Sequence, residues 1–187
     1  MDNAAAGGGC KERGTVYQTG DLILYGGTGV CRVTDIIAKK LGRTEPERLY
    51  YVLEPLYQTG TITTPVDNNK VFTRPVISRD EAIELIDQIP HIRAEAYHNQ
   101  NLQQLENHYK SAMEDHECMS LLRLTMSTYR KKVEREAKKQ KFGAVDRRYM
   151  ERAENLLYGE LAVARGIAKE NVQEFIAERL AAVAAAE

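Results

Sequence analysis

The chain contains no tryptophan, although ten of its 187 residues are tyrosines. Its five prolines all lie in the first half, the last of them at Pro90. The second half therefore lacks the residue that most strongly interrupts a helix. No apolar run approaches the roughly 18 residues that a membrane-spanning helix needs, so we expect a cytoplasmic protein without membrane contact.

Cysteine is also scarce, with Cys10, Cys31 and Cys118 at unrelated positions. An odd number of dispersed cysteines is typical of a reducing cytosol and argues against a disulfide framework. Residues 1–14 carry an acid, Asp2, where a signal peptide would be basic, and they have no apolar stretch. We interpret them as a flexible N-terminal tail and not as a signal peptide.

Residues suited to catalysis or metal binding are few. His116 and Cys118 are two positions apart and His91 and His98 are seven apart, and neither spacing matches an established pair of metal ligands. The glycine turn at residues 26–29 lacks the Lys-Ser/Thr of a phosphate-binding loop and joins two predicted strands. We expect neither an enzyme nor a bound metal or cofactor, and an enzyme with an unrecognised site is a third alternative.

Signals for β-structure are confined to the first half. The predicted strands are Asp21–Tyr25, Val30–Ala38, Leu49–Glu54, Gly60–Pro65 and a short fifth strand at Val71–Phe72. The first two strands flank the glycine turn and predict a hairpin. Four or five antiparallel strands in about sixty residues predict a small SH3-like or Tudor-like barrel.

The pattern becomes helical at Ser78. Ser78 and Glu81 form a capping-box sequence, and Gly166 is placed to end a later helix. Two of the predicted apolar stripes are Leu102, Leu105, Tyr109 and Met113, and then Leu121, Leu122, Met126, Tyr129 and Val133. The predicted fold class is therefore α+β, with a small antiparallel β-barrel followed by a helical bundle.

A neutral total charge conceals strongly charged blocks. Residues 78–117 carry 3 Lys/Arg against 9 Asp/Glu, whereas residues 118–152 carry 11 against 4. The cations are concentrated at Arg130, Lys131, Lys132, Arg135, Lys138, Lys139 and Lys141, with Arg147, Arg148 and Arg152 just beyond. This segment is either a solvated helix face or a surface that contacts phosphate groups without reading sequence.

Several segments together resemble a known family. Tyr17–Asp21, Tyr25–Gly29, Ile36 and Thr64–Asn68 look like the N-terminal domain of CarD-like transcription factors, which also occurs in transcription-repair coupling factors. Asn155–Ala162 is similar to the penultimate helix of that family. Two signatures in the expected order extend the resemblance over about residues 17–180.

The resemblance implies a Tudor-like barrel that binds a lobe of the bacterial RNA polymerase β subunit. The family docks through an exposed strand edge and nearby basic residues, which correspond here to Lys39, Lys40, Thr61 and Thr63. Thr63 stands where some members carry Arg, and strand addition would supply main-chain hydrogen bonds in any case. Lys39 and Lys40 are equally well explained as solubilising loop residues.

The resemblance also implies a helical domain that lies against promoter DNA and supports the open complex. Members of the family often wedge a Trp into the minor groove, and alignment on Tyr109 and Lys110 places Leu105 at that position. Leu105 is a candidate wedge or, on its apolar stripe, a core residue. His108 and Lys110 are the other candidate contacts on the groove side.

We therefore expect a monomeric transcription regulator with residues 15–77 as the polymerase-docking domain and residues 78–187 as the DNA-facing domain. The expected phosphate contacts are Arg130, Lys131, Lys132, Arg135, Lys138, Lys139, Arg147 and Arg148. The alternative is an interaction protein that binds polymerase but engages DNA poorly, as a competitor or scaffold. The missing Trp and the acidic block favour this alternative.

Overall fold

A computed structural model describes residues 17–40 and 47–185. The expected flexible tail at residues 1–14 and the Cys10 thiol lie outside the described residues. The strands are β1 (Leu22–Tyr25), β2 (Gly29–Lys39), β3 (Arg48–Pro55), β4 (Ile62–Pro65) and β5 (Thr73–Pro75). The helices are α1 (Arg79–Asp87), α2 (Leu102–Ser111), α3 (Cys118–Ala137), α4 (Ala144–Arg165) and α5 (Val172–Ala184).

The strands form one antiparallel sheet in the order β4-β3-β2-β1-β5. The predicted hairpin between β1 and β2 is confirmed, and a single 3₁₀ turn, Gly26–Thr28, connects them. Gly26 and Gly29 have φ values of 45° and 88°, a region in which a side chain would be strained. The fifth strand was predicted at Val71–Phe72, but β5 is Thr73–Pro75, because Thr73, Arg74 and Pro75 are the residues that pair with β1.

The α+β class is confirmed, but the predicted barrel is not closed. Among the described residues, β4 pairs only with β3 and β5 pairs only with β1, so the sheet keeps two edges. A bulge between Val33 and Asp35 shifts the register of the long strand β2. Bulges bend a strand and increase its twist, which curves the sheet around its own core without joining its edges.

The sheet encloses a small core of Tyr17, Ile23, Cys31, Val33, Tyr51 and Leu53. The hydroxyl of Tyr51 accepts a hydrogen bond from the backbone N–H of Tyr17 at 2.8 Å, so the buried phenol keeps a partner. Burial raises the pKa of the Cys31 thiol to about 11. Cys31 is thus a protonated core residue, as its place in a predicted strand indicated.

Both predicted helix caps are confirmed. The Ser78 hydroxyl accepts from the Glu81 amide at 3.2 Å, and the Glu81 carboxylate accepts from the Ser78 amide at 2.7 Å. Gly166 ends α4 in the left-handed conformation with φ of 67°. Among the described residues, no helix combines the length and apolar character that a membrane crossing requires.

The helices share a core, but the predicted apolar stripes are partly wrong. Leu102, Tyr129 and Val133 are 64%, 58% and 46% exposed. Leu102 is the first residue of α2, so no preceding turn of that helix covers it. In the second half of α3 the buried positions are instead Thr128 and Lys131, because a polar network occupies the interior there.

Two described residues other than glycine have a positive φ, His116 and Lys139. Lys139 follows the C-cap of α3 with φ of 53°, where glycine is the preferred residue. We expect Lys139→Gly to raise the free energy of unfolding by about 0.5 kcal/mol, since relief of left-handed strain exceeds the added freedom of the unfolded chain. Urea denaturation measures this change.

The matched control is Lys138→Gly, which removes the same charge at a residue with φ of −88°. We expect this control to lower the stability, because it adds chain freedom without relieving strain. Equal effects of the two substitutions would contradict the interpretation.

Candidate functional site

The outer edge of β4 presents unpaired backbone groups. The N–H of Val66 donates to the carbonyl of Leu49 at 3.0 Å, in line with the β3–β4 register. Because hydrogen-bonded pairs alternate in an antiparallel ladder, the Thr64 amide points toward β3 and that of Thr63 points away. Thr61 and Thr63 are exposed. Pro65 occupies the next position whose backbone nitrogen faces outward, and proline has no N–H at that nitrogen.

Lys39 and Lys40 lie at the far end of β2, and both are exposed. Lys39 pairs in register with Arg48 at the start of β3, so three cations gather at this end of the sheet. Strand β3 lies between the two lysines on the β2 side and the β4 edge. Arg48 was missed from the sequence, because only the register between β2 and β3 brings it beside Lys39.

Comparison with known families bears on this sheet. Residues 17–77 match the CarD-like/TRCF RID domain. We refer to this segment as the RID domain after that match. The match spans all five strands and ends just before the cap of α1. An RID domain is a transcription-related domain that interacts with RNA polymerase. No curated protein matches the chain.

A buried carboxylate joins the RID domain to the helices. Glu160 on α4 is 0% exposed and pairs with Arg74 on β5, whose Nη2 donates to Oε2 at 2.9 Å. The Ile77 amide and the Cys118 thiol also donate to Glu160, both at 3.1 Å. The carboxylate is therefore saturated with donors, which is how a buried charge is tolerated.

The same contacts control ionisation at this junction. Burial lowers the pKa of Arg74, but the hydrogen bond and charge of Glu160 outweigh burial and raise it above its usual value. Burial and the Glu160 carboxylate raise the pKa of the Cys118 thiol well above its usual range. Cys118 is thus a protonated donor with no nucleophilic character, consistent with its predicted place in the core.

A second buried network corrects one expected phosphate contact. Lys131 is 2% exposed, and its Nζ lies 2.7 Å from Oδ1 of Asp146. The Tyr109 hydroxyl donates to the same oxygen at 2.7 Å, and burial followed by Asp146 raises the pKa of that phenol above its usual range. Since its charge is neutralised inside the protein, Lys131 cannot reach a phosphate group.

The three groove-side residues predicted on α2 differ in their exposure and in their contacts. Leu105 is 3% exposed and belongs to the helical core, so as folded it cannot serve as a wedge. His108 is exposed, but its ring stacks on that of Tyr97 with 3.8 Å between the ring centroids. Partial burial of the ring, followed by the charge of Lys131, lowers the pKa of His108 and favours the uncharged ring. Lys110 is exposed and lies 3.9 Å from Glu106.

The remaining basic residues fall into two groups. Within the described ranges, Arg130 pairs with Glu134, Arg135 donates to Gln140, and Arg148 pairs with Glu106. The other group consists of exposed cations for which the described contacts include no side-chain partner: Lys138, Lys139, Lys141 and Arg147. These four residues lie at the turn between α3 and α4. Lys132 is half-buried beside Glu154.

Leu102 lies at the same end of the helices as this turn. His98 contacts Glu134 at 2.9 Å, so the segment that leads into α2 lies beside the last turn of α3. Leu102 is the large exposed apolar residue of α2. Sequence reasoning assigned it to the core, although its position directly after the N-cap Asn101 could have indicated exposure.

The histidines do not form a metal site in the described part of the chain. No group of three or more His, Cys, Asp or Glu side chains is arranged to hold a metal ion there. His98 contacts Glu134, His108 stacks on Tyr97, and His116 stacks on Phe72 at 5.0 Å. Each of these three rings therefore has its own separate neighbour.

The Arg74–Glu160 pair yields a stability prediction. Glu160→Leu leaves the Arg74 guanidinium partly buried without its counter-charge, so we expect the free energy of unfolding to fall by about 3–5 kcal/mol. The double substitution Arg74→Met with Glu160→Leu should recover much of this loss, because no uncompensated charge remains. Urea denaturation of the three proteins measures both effects.

An exposed ion pair provides the control. Arg179 contacts Asp87 at 2.7 Å with both side chains partly accessible, and Asp87→Leu should cost far less than Glu160→Leu. A double variant no more stable than Glu160→Leu alone would show that the contribution of Glu160 does not come from pairing with Arg74.

Proposed function

We propose that the chain is a transcription regulator that docks on the β subunit of bacterial RNA polymerase and contacts promoter DNA, thereby modulating the stability of the open complex. Residues 15–77 are the docking domain and residues 78–187 the DNA-facing domain. The observation that carries the proposal is the unpaired edge of β4 within a matched RID domain. No step of this function requires catalysis by the chain.

The β4 edge suits docking by strand addition. An extended strand of the partner hydrogen-bonds to the outward N–H and C=O groups of an exposed strand, and nearby side chains add specificity. Thr61 and Thr63 would supply the main-chain groups on the RID side. Lys39, Lys40 and Arg48 would act at the far end of the sheet, where positive charge favours an acidic partner surface.

Replacing Thr63 with proline tests the docking edge. Thr63→Pro removes an outward N–H while leaving the β3–β4 hydrogen bonds intact, so we expect the folded protein to bind polymerase at least roughly tenfold more weakly. Fluorescence anisotropy of labelled protein with polymerase measures the affinity, and circular dichroism checks the fold. Thr63→Val is the control, because it keeps the N–H and the strand preference.

Unchanged affinity of Thr63→Pro would refute docking through β4. If Thr63→Val weakened binding as much as Thr63→Pro, the hydroxyl and not the backbone would carry the contact.

The turn between α3 and α4 is the best-supported DNA contact. Lys138, Lys139, Lys141 and Arg147 are exposed there, and phosphate contact requires cations that are not already paired. Arg130, Lys132, Arg135 and Arg148 are secondary candidates, because each has an acidic or amide neighbour. Such contacts position a protein on DNA without reading its sequence.

Leu102 is a better candidate than Leu105 for an apolar contact with DNA. Leu102 is exposed, begins α2 and lies beside the cationic turn, whereas Leu105 is in the core. An apolar side chain inserted at an unstacked base step offsets part of the unstacking cost. The cations and the apolar residue would then engage the same stretch of DNA.

A triple substitution tests the DNA contact. Lys138→Ala, Lys141→Ala and Arg147→Ala together should shorten the open-complex lifetime and reduce the salt dependence of DNA crosslinking, by up to about 0.9 in the log–log slope for each lost contact. The charge-matched control changes three other exposed residues, Arg79, Arg93 and Arg123, to Ala. Equal effects of the two triples would refute a specific role for the turn.

A polymerase-binding protein with little DNA activity is the second candidate function. The burial of Leu105 and the internal pairing of Lys131 favour it, because both remove expected contacts with DNA. Such a protein would act as a competitor or scaffold. The open-complex lifetime with and without the unaltered protein separates the two functions, since only the first predicts a change.

A further inference from the structure

A cleft of about 470 Å³ lies between the RID domain and α4. One wall is the glycine turn between β1 and β2 together with the loop after β3. The other wall is α4 and the short segment before α5. The lining residues that matter here are Gly27, Tyr57, Arg148, Arg152, Asn155 and Lys169. Its volume is in the range of small-ligand sites.

Glycines set the separation of the two walls. A Cβ on Gly27 would lie 2.7 Å from Nη2 of Arg152, and a Cβ on Gly159 would lie 2.9 Å from Cε2 of Tyr57. The hydroxyl of Tyr57 donates to the Gly159 carbonyl at 3.1 Å. This hydrogen bond therefore connects the two walls of the cleft.

Cations from separate elements converge on the cleft. Arg152 makes no side-chain hydrogen bond or ion pair among the contacts of residues 17–40 and 47–185. Lys169 donates to Oδ1 of Asn155 at 2.9 Å, and its Nζ lies 4.8 Å from the centre of the Tyr57 ring. Arg148 forms an ion pair with Glu106, and Glu151 is the one acidic residue among those that line the cleft.

The ammonium group of Lys169 is partly buried at the cleft, where it contacts Asn155 and the Tyr57 ring. Burial lowers its pKa, an effect that Glu170 partly opposes. A partly desolvated cation interacts with an anion more strongly than a fully hydrated one, because water screens the charge less. The planar guanidinium of Arg152 suits two oxygens of one phosphate group.

We propose that this cleft binds phosphate groups, with Arg152 and Lys169 as the two binding cations and the Tyr57 ring as a flat surface beside them. The phosphate can come from a free nucleoside polyphosphate or from the backbone of a nucleic-acid strand. Neither Arg152 nor Lys169 takes part in the proposed polymerase or DNA contacts. A ligand here would bridge the RID domain and α4 and so hold their relative position.

The test uses two probes, inorganic pyrophosphate with ATP as the free form and a labelled double-stranded DNA as the backbone form. We expect amide shifts at Gly27–Gly29 and Gly159 in ¹H–¹⁵N spectra on titration with at least one probe. Arg152→Ala with Lys169→Ala should weaken that binding by roughly tenfold or more, the loss expected for two charge-assisted hydrogen bonds. Arg79→Ala with Arg93→Ala is the charge-matched control, because both residues are exposed and lie outside the cleft and the proposed DNA contact.

The outcomes separate the sources of the phosphate. A response to pyrophosphate or ATP assigns the cleft to a free nucleotide, and a response to DNA alone assigns it to a nucleic-acid backbone. No shift with either probe, or equal losses in the cleft and control variants, would overturn the proposal. Gly27→Leu provides a second check, since it narrows the cleft without removing a cation and should also weaken binding.

Discussion

The buried Glu160 carboxylate is the interaction on which the arrangement of the molecule depends. It accepts from Arg74 and Ile77 at the end of the RID domain and from Cys118 at the start of α3, so one side chain of α4 ties that domain to two helices. A buried charge is tolerated only when donors surround it, and those donors must therefore hold their positions. The neighbouring residue Gly159 accepts a hydrogen bond from Tyr57 at the cleft, so the same part of α4 contacts the RID domain at two points.

The second buried pair, Lys131 with Asp146, determines how the basic segment is used. Composition shows a continuous run of cations, but this pair takes one of them into the core and local partners occupy others. Among the described residues, the cations of this block without a side-chain partner include Lys138, Lys139, Lys141 and Arg147 near the α3–α4 turn and Arg152 at the cleft. The basic block of the sequence therefore contributes to two different surfaces.

Turns and helix ends could be predicted from the sequence, because each depends on residues that are close together in the chain. The β1–β2 hairpin, the Ser78–Glu81 capping box and the Gly166 helix end each depend on a few adjacent residues, and each is confirmed. The exposure of Tyr129 and Val133 was not predictable in this way. Helical periodicity groups residues on one face, but it does not say how far the partner helix extends along that face.

Local patterns were enough to predict the order of strands and helices along the chain and the α+β class, and residues 17–77 are enough for the match to an RID domain. The open sheet edges, the burial of Leu105 and the internal pairing of Lys131 became apparent only in the folded protein. These features depend on contacts between residues that are far apart in the sequence. Arg74 and Glu160 are 86 positions apart, and local propensity carries no information about a pairing at that distance.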